Sequence, residues 1–426
     1  MLSNARKISS RILRVSGRIN GSSKFQIRSL SANKDAVQGH TAERHAQAVM
    51  PPRTNQQQPG NDPDLLPTRW KLFGAAVAIA AGCLSVYVQS KPVVRDIQSL
   101  LPSFLERSVV YSTELDAMLK DNIFSTRLVQ EKDISSILKR TKANGKYFVL
   151  YGAKGAGKSL LVDHAIKGHS GIIKEKVTSI TTKGDIVKSL ANHCGIANEI
   201  TPDIDDFVQA LAKGASASKL LTVIFEVERG GTPDQAIGIQ AVRSLAKEFA
   251  TVSNCIIILS EANAVLEFGR DLSREEFIFI DGFTEVEARD YLERRKLNIT
   301  ESEITGVFAR IGTSPAMLLD MNECVQNKGY SVEQFVKEKL RIAHMELAAF
   351  PLKPILKALK EHPEGVSPKI FNNVKYEGVD LSNPQAVGYA MKRSNAIVYR
   401  IENQKYQLLS KAHETALQAY EPIIVA

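Results

Sequence analysis

A chain of 426 residues exceeds what one hydrophobic core commonly organises, so two or three folded units are expected. Its 44% hydrophobic content is ordinary for globular protein, and much of its formal charge of +9 sits in the N-terminal tail, so basicity alone does not point to nucleic acid. The four cysteines (Cys83, Cys194, Cys255, Cys324) form no C-x-x-C pair and the eight histidines show no H-E-x-x-H spacing, which argues against a disulfide framework, a zinc site and zinc-protease chemistry.

The first acidic residue is Asp35. Before it come Arg6, Lys7, Arg11, Arg14, Arg18, Lys24, Arg28 and Lys34, among serines and the apolar Leu13, Val15, Ile19 and Phe25. This acid-free, Arg- and Ser-rich pattern predicts a mitochondrial transit peptide over residues 1–30. The alternative is a disordered basic arm that binds nucleic acid or lipid. Residues 31–70 are polar and proline-containing and predict a disordered linker. Residues 72–90 (LFGAAVAIAAGCLSVYVQS) carry no charge and predict one transmembrane helix at 71–90. Trp70 and Tyr87 suit the two interfaces, and Arg69, Lys71 and Lys91 can snorkel. Basic residues at both ends leave the orientation open. Residues 91–120 form a juxtamembrane link, with Ile97, Leu100, Leu101 and Leu105 spaced for a short amphipathic helix.

The stretch with the clearest chemistry is Gly152-Ala153-Lys154-Gly155-Ala156-Gly157-Lys158-Ser159, which fits the phosphate-loop pattern G-x-x-x-x-G-K-[ST]. An apolar run at 147–151 predicts a buried strand before it, and a helical pattern from Ser159 and Leu160 follows. Triphosphate oxygens need many donors in a small space. Glycines let the backbone turn its N–H groups inward, and the next helix adds unpaired N–H groups and the positive end of its dipole. Lys158 is placed to reach the β/γ-phosphates, and the Ser159 hydroxyl to ligate Mg²⁺. ATP and Mg²⁺ are the expected cofactors.

Further strands are predicted at 171–180, 220–228, 255–260 and 276–280, with helices at 185–194, 204–212 and 235–250 between them. Such alternation implies a parallel three-layer α/β sheet with ligand at the carboxyl ends of its strands. The strand at 220–228 ends in Glu226-Val227-Glu228, where a magnesium-side carboxylate belongs. Capping-box patterns begin at Thr284, Thr300 and Ser331, and Ser314-Pro315 opens another helix. Helices at 352–360, 369–373 and 384–392 precede a hairpin of 396–401 with 405–409.

From about residue 123 to 409 the chain resembles the STAND and archaeal-type branch of P-loop ATPases, which is related to AAA+ proteins. The segment with Phe124, Ser125, Arg127 and Glu131 is similar to the family's adenine-side segment, with Thr126 where that segment usually has Gly. The resemblance implies that Arg127 contacts the nucleotide and that Ser260 senses the γ-phosphate. It places Glu226, a Glu where Asp is usual, at the metal. Val227 stands where the catalytic Glu is usual, so Glu226 or Glu228 would polarise the attacking water, or hydrolysis would be slow. Arg270 and Arg274 lie where oligomeric relatives can carry an arginine finger. Gly312-Thr313-Ser314-Pro315 resembles the lid turn that faces the nucleotide. The implied organisation is an ATPase core at 121–283, a helical lid at 284–349 and a C-terminal winged helix at 350–426. Such a winged helix serves either DNA, through Lys392 and Arg393, or a protein partner. The expected function is that of a membrane-anchored mitochondrial ATP-binding protein, an ATPase acting as a nucleotide-dependent switch on an unknown partner protein, with a homo-oligomer left open; a membrane tether for organellar DNA and a non-hydrolysing ATP-binding scaffold are the alternatives.

Overall fold

A computed structural model describes residues 98–419, apart from 101, 104, 107–112, 122–123, 125–126, 179–180, 196–202, 215–219, 229–235, 269–272 and 392–395. The expected transit peptide, linker and apolar span at 72–90 lie outside the described residues, as do Ser125, Thr126, Arg270, Lys392 and Arg393. Among the described residues, no helix is long and apolar enough to cross a membrane.

After helical residues between 98 and 106, the helices α1 (Thr113–Lys120) and α2 (Leu128–Leu138) precede the sheet. Its strands are β1 (Tyr147–Tyr151), β2 (Ile172–Val177), β3 (Thr222–Val227), β4 (Asn254–Leu259) and β5 (Glu275–Phe279). They are all parallel, in the order β2-β3-β4-β1-β5. Between them run α3 (Lys158–Ala165), α4 (Lys183–His193), α5 (Ile204–Gly214), α6 (Ala236–Phe249) and a 3₁₀ segment, Ala262–Phe268.

Strand alternation sorts the side chains into two cores. Tyr147, Val149, Val223, Phe225, Cys255 and Ile257 face α4, α5, α6 and the 3₁₀ segment. Phe148, Leu150, Ile224, Ile256 and Ile258 face α2 and α3. Both faces are covered, which is why β1 (YFVLY) and β4 (NCIIIL) are buried at every position. From β1 the chain passes to one face through α3; from adjacent β4 it passes to the other through Val265 and Phe268. Diverging connections open a crevice at the carboxyl ends of these two strands.

Beyond the sheet lie α7 (Glu285–Arg294), α8 (Glu301–Ile311), α9 (Pro315–Lys328) and α10 (Val332–Ala349). The capping boxes of Thr284, Thr300 and Ser331 close as their spacing predicts. Next come α11 (Lys353–Glu361), a 3₁₀ turn (Pro368–Phe371), β6 (Lys375–Tyr376), β7 (Val379–Asp380), α12 (Pro384–Ala390), β8 (Ile397–Arg400), β9 (Lys405–Leu408) and α13 (Lys411–Gln418). The helix expected at 369–373 is therefore corrected to a 3₁₀ turn, opened by Pro368 and followed by Asn373 at a left-handed φ of 64°. The short β6–β7 pair and α13 were not predicted. Ala412, Ala416 and Leu417 of α13 join Val307 and Ile311 of α8 and Ala343 and Leu347 of α10 in one apolar core. The expected division near residue 350 is thus not a division between cores.

The β8–β9 hairpin reaches back to the sheet. The Tyr151 hydroxyl donates to Glu402 and accepts from the Ile401 N–H at 3.2 Å. The Arg400 guanidinium lies 3.7 Å from the Phe279 ring centroid and 3.0 Å from the Asp281 carboxylate. Asn263 Nδ2 donates to the Ile397 carbonyl at 2.8 Å.

Candidate functional site

The loop of residues 152–157 leaves β1 at the mouth of the crevice, and its glycines answer two close approaches. A Cβ on Gly152 would stand 2.1 Å from the Ile280 carbonyl oxygen. Gly155 has φ +79°, and a Cβ there would stand 2.4 Å from the Ala316 Cβ. The Ala316 N–H donates to the Gly155 carbonyl at 3.1 Å, so the start of α9 rests directly on the loop. Gly157 caps α3 at φ 82° with no side-chain hydrogen bond to the helix. The first N–H groups of α3 have no intrahelical acceptor by construction, and they open toward the loop.

Lys158 is 5% exposed. Its ammonium donates to the carbonyls of Gly152 at 3.0 Å, Ala153 at 2.8 Å and Ser260 at 3.3 Å. It therefore bridges the carboxyl ends of β1 and β4. Burial pushes its pKa down to about 8, with Glu261 acting in the opposite sense. The sign of the resulting pH effect follows. Below this value the free protein already carries the ammonium; above it, an approaching anion must draw in a proton. Binding of a polyphosphate should therefore weaken by up to about tenfold per pH unit above that point. Calorimetry at about pH 9 in buffers of different ionisation enthalpy should show proton uptake, absent in Lys158→Arg because a guanidinium stays charged there. Equal uptake in both proteins would assign the proton to another group.

The Ser159 hydroxyl donates to Glu226 Oε1, and Lys174 Nζ lies 3.1 Å from Glu226 Oε2. Burial pushes the Glu226 carboxyl upward, but the Ser159 hydrogen bond and Lys174 outweigh it and hold the group below its ordinary value. Glu228 is placed differently. It lies one residue past β3, its side chain 53% exposed and 3.7 Å from Lys176. The expected water-polarising role finds no enclosed setting there. Ser260 meets Lys158 through its carbonyl. Lys154 is exposed at the loop's tip, and Leu160 faces the cavity described next. Arg274 stands just before β5, at the end of the sheet opposite the crevice.

Arg127, expected at the nucleotide, is held here by backbone carbonyls. It is 3% exposed, and its terminal nitrogens are spent on backbone: Nη1 donates to the Ala156 carbonyl at 2.7 Å, Nη2 to those of Asp281 at 2.7 Å and Gly282 at 2.8 Å. It stitches the phosphate loop to the chain entering α7, 5.5 Å from the Phe283 ring centroid. Only its buried Nε lacks a partner. Arg127→Leu is expected to cost about 2–4 kcal/mol in urea denaturation, because it strands buried carbonyls. A cost under about 1 kcal/mol would deny it this role.

Arg127 also lines a cavity of about 440 Å³ beside the loop. Its walls include Gly155, Gly157, Leu160 and Phe124, with Tyr291 and Arg295 at the end of α7 and Pro315 and Leu319 of α9. Mostly apolar walls with a few placed cations suit a flat heteroaromatic ring ending in an anion. Phe124 stacks on His164, ring centroids 4.4 Å apart, and His164 Nδ1 lies 2.8 Å from Glu131. Sequence reading missed Tyr291, Arg295, Leu319, Lys174 and Glu261. Nothing local marks the first three, since only the docking of α7 and α9 brings them to the loop.

No protein-family model matches this chain, and no curated protein does. Among solved structures it is similar to the Walker-type ATPase of Pyrococcus abyssi, at 15% identity and a TM-score of 0.44, over 69% of this chain and 97% of that one. It is also similar to a STAND protein with a tetratricopeptide-repeat sensor from Pyrococcus horikoshii, at 16% identity and a TM-score of 0.34. That match spans 70% of this chain but only 43% of the other. A third is the Orc1 protein of Aeropyrum pernix in complex with DNA, at 13% identity and a TM-score of 0.35, over 75% and 95% of the two chains.

Proposed function

We propose that this protein binds ATP with Mg²⁺ and acts as a membrane-anchored mitochondrial switch on a partner protein. The observation that carries the ATP reading is the buried Lys158 ammonium, held on three backbone carbonyls between the ends of β1 and β4. A cation so placed is costly to bury and gains a strong partner only when an anion arrives. The rest of the site fits a nucleotide. The first N–H groups of α3 carry no side-chain cap, and a cavity of about 440 Å³ lined by Gly155, Gly157, Leu160 and Phe283 adjoins them.

The donor set also fits Mg²⁺. Among the described residues no cluster of three or more His, Cys, Asp or Glu could hold a metal unaided. Mg²⁺ commonly takes one or two carboxylates and completes its shell with water and substrate phosphates. Ser159 and Glu226 would hold it, and when bound it neutralises charge on the β- and γ-phosphates. Gly155, Gly157 and the start of α3 orient the phosphates, and Tyr291, Leu319 and Phe283 keep water from the base.

Hydrolysis by this arrangement is slow. Glu226 is engaged by Ser159 and Lys174, and Glu228 is in solvent. Because α9 touches Gly155 and the β8–β9 hairpin touches Tyr151, a bound nucleotide would bias both contacts. We read residues 350–419 as a winged helix that presents this state to a protein partner. The anchor rests on the acid-free N-terminus and the uncharged run at 72–90. The test is retention of radiolabelled ATP by the purified chain with Mg²⁺, followed by phosphate release. No retention overturns the reading. Turnover on the order of 10 s⁻¹, typical of efficient enzymes, would overturn the slow-hydrolysis part.

A further inference from the structure

We propose that Lys174 is a tethered cation on the metal side of the phosphate loop, a positioning residue that lets nucleotide bind with little help from Mg²⁺. The inference rests on the ATP reading above. Lys174 lies on β2, in register with Ile224 of β3. Its ammonium lies 2.7 Å from Asp163 Oδ1, on α3, and 3.1 Å from Glu226 Oε2, at the end of β3. The three side chains are 18%, 4% and 15% exposed. With Ser159 on Oε1, both oxygens of Glu226 are engaged before any metal arrives.

Two carboxylate oxygens meeting at one point, with the Ser159 hydroxyl on the other oxygen of Glu226, are part of a donor set for a divalent cation. Here the point is filled by an ammonium from the same chain. That ammonium offsets the carboxylate charge facing an incoming triphosphate. It also competes with any metal for Glu226. Without it, two poorly solvated carboxylates would repel the nucleotide until a metal took its place.

The test uses the full chain and a fluorescent ATP analogue, with Mg²⁺ in excess or with EDTA. The unaltered protein is expected to lose no more than about threefold in affinity on chelation. Lys174→Met should lose about tenfold or more in EDTA and return to within about threefold of the unaltered protein in Mg²⁺. Lys174→Gln, which keeps a donor without the charge, should behave as the methionine variant, and Lys174→Arg as the unaltered protein. Equal losses with and without metal, or none in either, would overturn the proposal. If the unaltered protein binds no nucleotide, the ATP reading fails instead. The proposal is then decided without nucleotide, by Mn²⁺ titration followed by electron paramagnetic resonance. Lys174→Met should gain a Mn²⁺ site that Lys174→Met with Glu226→Gln lacks. No gain would overturn it.

Discussion

Lys158→Met is expected to weaken ATP binding about a hundredfold or more while moving the melting temperature by only a few degrees. The two outcomes have one cause. The ammonium is buried, and that burial pushes its pKa down to about 8, so the free protein holds a charge at a cost. Methionine is similar in length and fills the same channel without that cost. The carbonyls of Gly152, Ala153 and Ser260 lose a donor, which offsets part of the gain. With a polyphosphate present the balance inverts, because a paired charge in a poorly solvated site is worth several times a surface pair. Equilibrium dialysis and thermal melting on the same preparation separate the effects. An unchanged dissociation constant would remove Lys158 from nucleotide binding, and a collapsed melting temperature would make it a structural strut.

Gly152→Ala is expected to destabilise the fold by about 3 kcal/mol, a large effect for one methyl group. Its Cβ would stand 2.1 Å from the Ile280 carbonyl oxygen, far inside contact distance. Neither side gives way readily. The Ile280 N–H donates to the Tyr151 carbonyl at 2.7 Å, which fixes the end of β5 against β1 at that point. Gly168→Ala is the comparison. Gly168 has φ +78° but nothing within 4 Å of the added atom, so only backbone strain of about 1 kcal/mol is expected. Chemical denaturation of the two variants measures the difference. Equal costs would mean that backbone conformation, and not the approach of Ile280, requires glycine at 152.

The same contacts show how far the sequence could be read. Strands and helices of the core lie within a few residues of their predicted positions, because apolar periodicity and the capping boxes at Thr284, Thr300 and Ser331 are local properties. The motif named Lys158 and Ser159 for the same reason. Arg127 could be singled out but not understood: its partners Asp281 and Gly282 are 154 and 155 residues away. The helix α13 is harder to read because it has only eight residues, too short to be stable except against α8 and α10.

By itself, then, the sequence determined that a glycine loop with one lysine follows a buried strand and opens a helix, inside an alternating α/β chain. Short-range sterics and periodicity suffice for that. Only the tertiary structure decided what surrounds the loop. The order β2-β3-β4-β1-β5 sets Ser260 beside Lys158, α7 and α9 bring Tyr291 and Pro315 to the cavity, and β2 delivers Lys174 to Glu226. Each of these depends on which strands and helices become neighbours, and residues far apart in the chain carry no local mark of that choice.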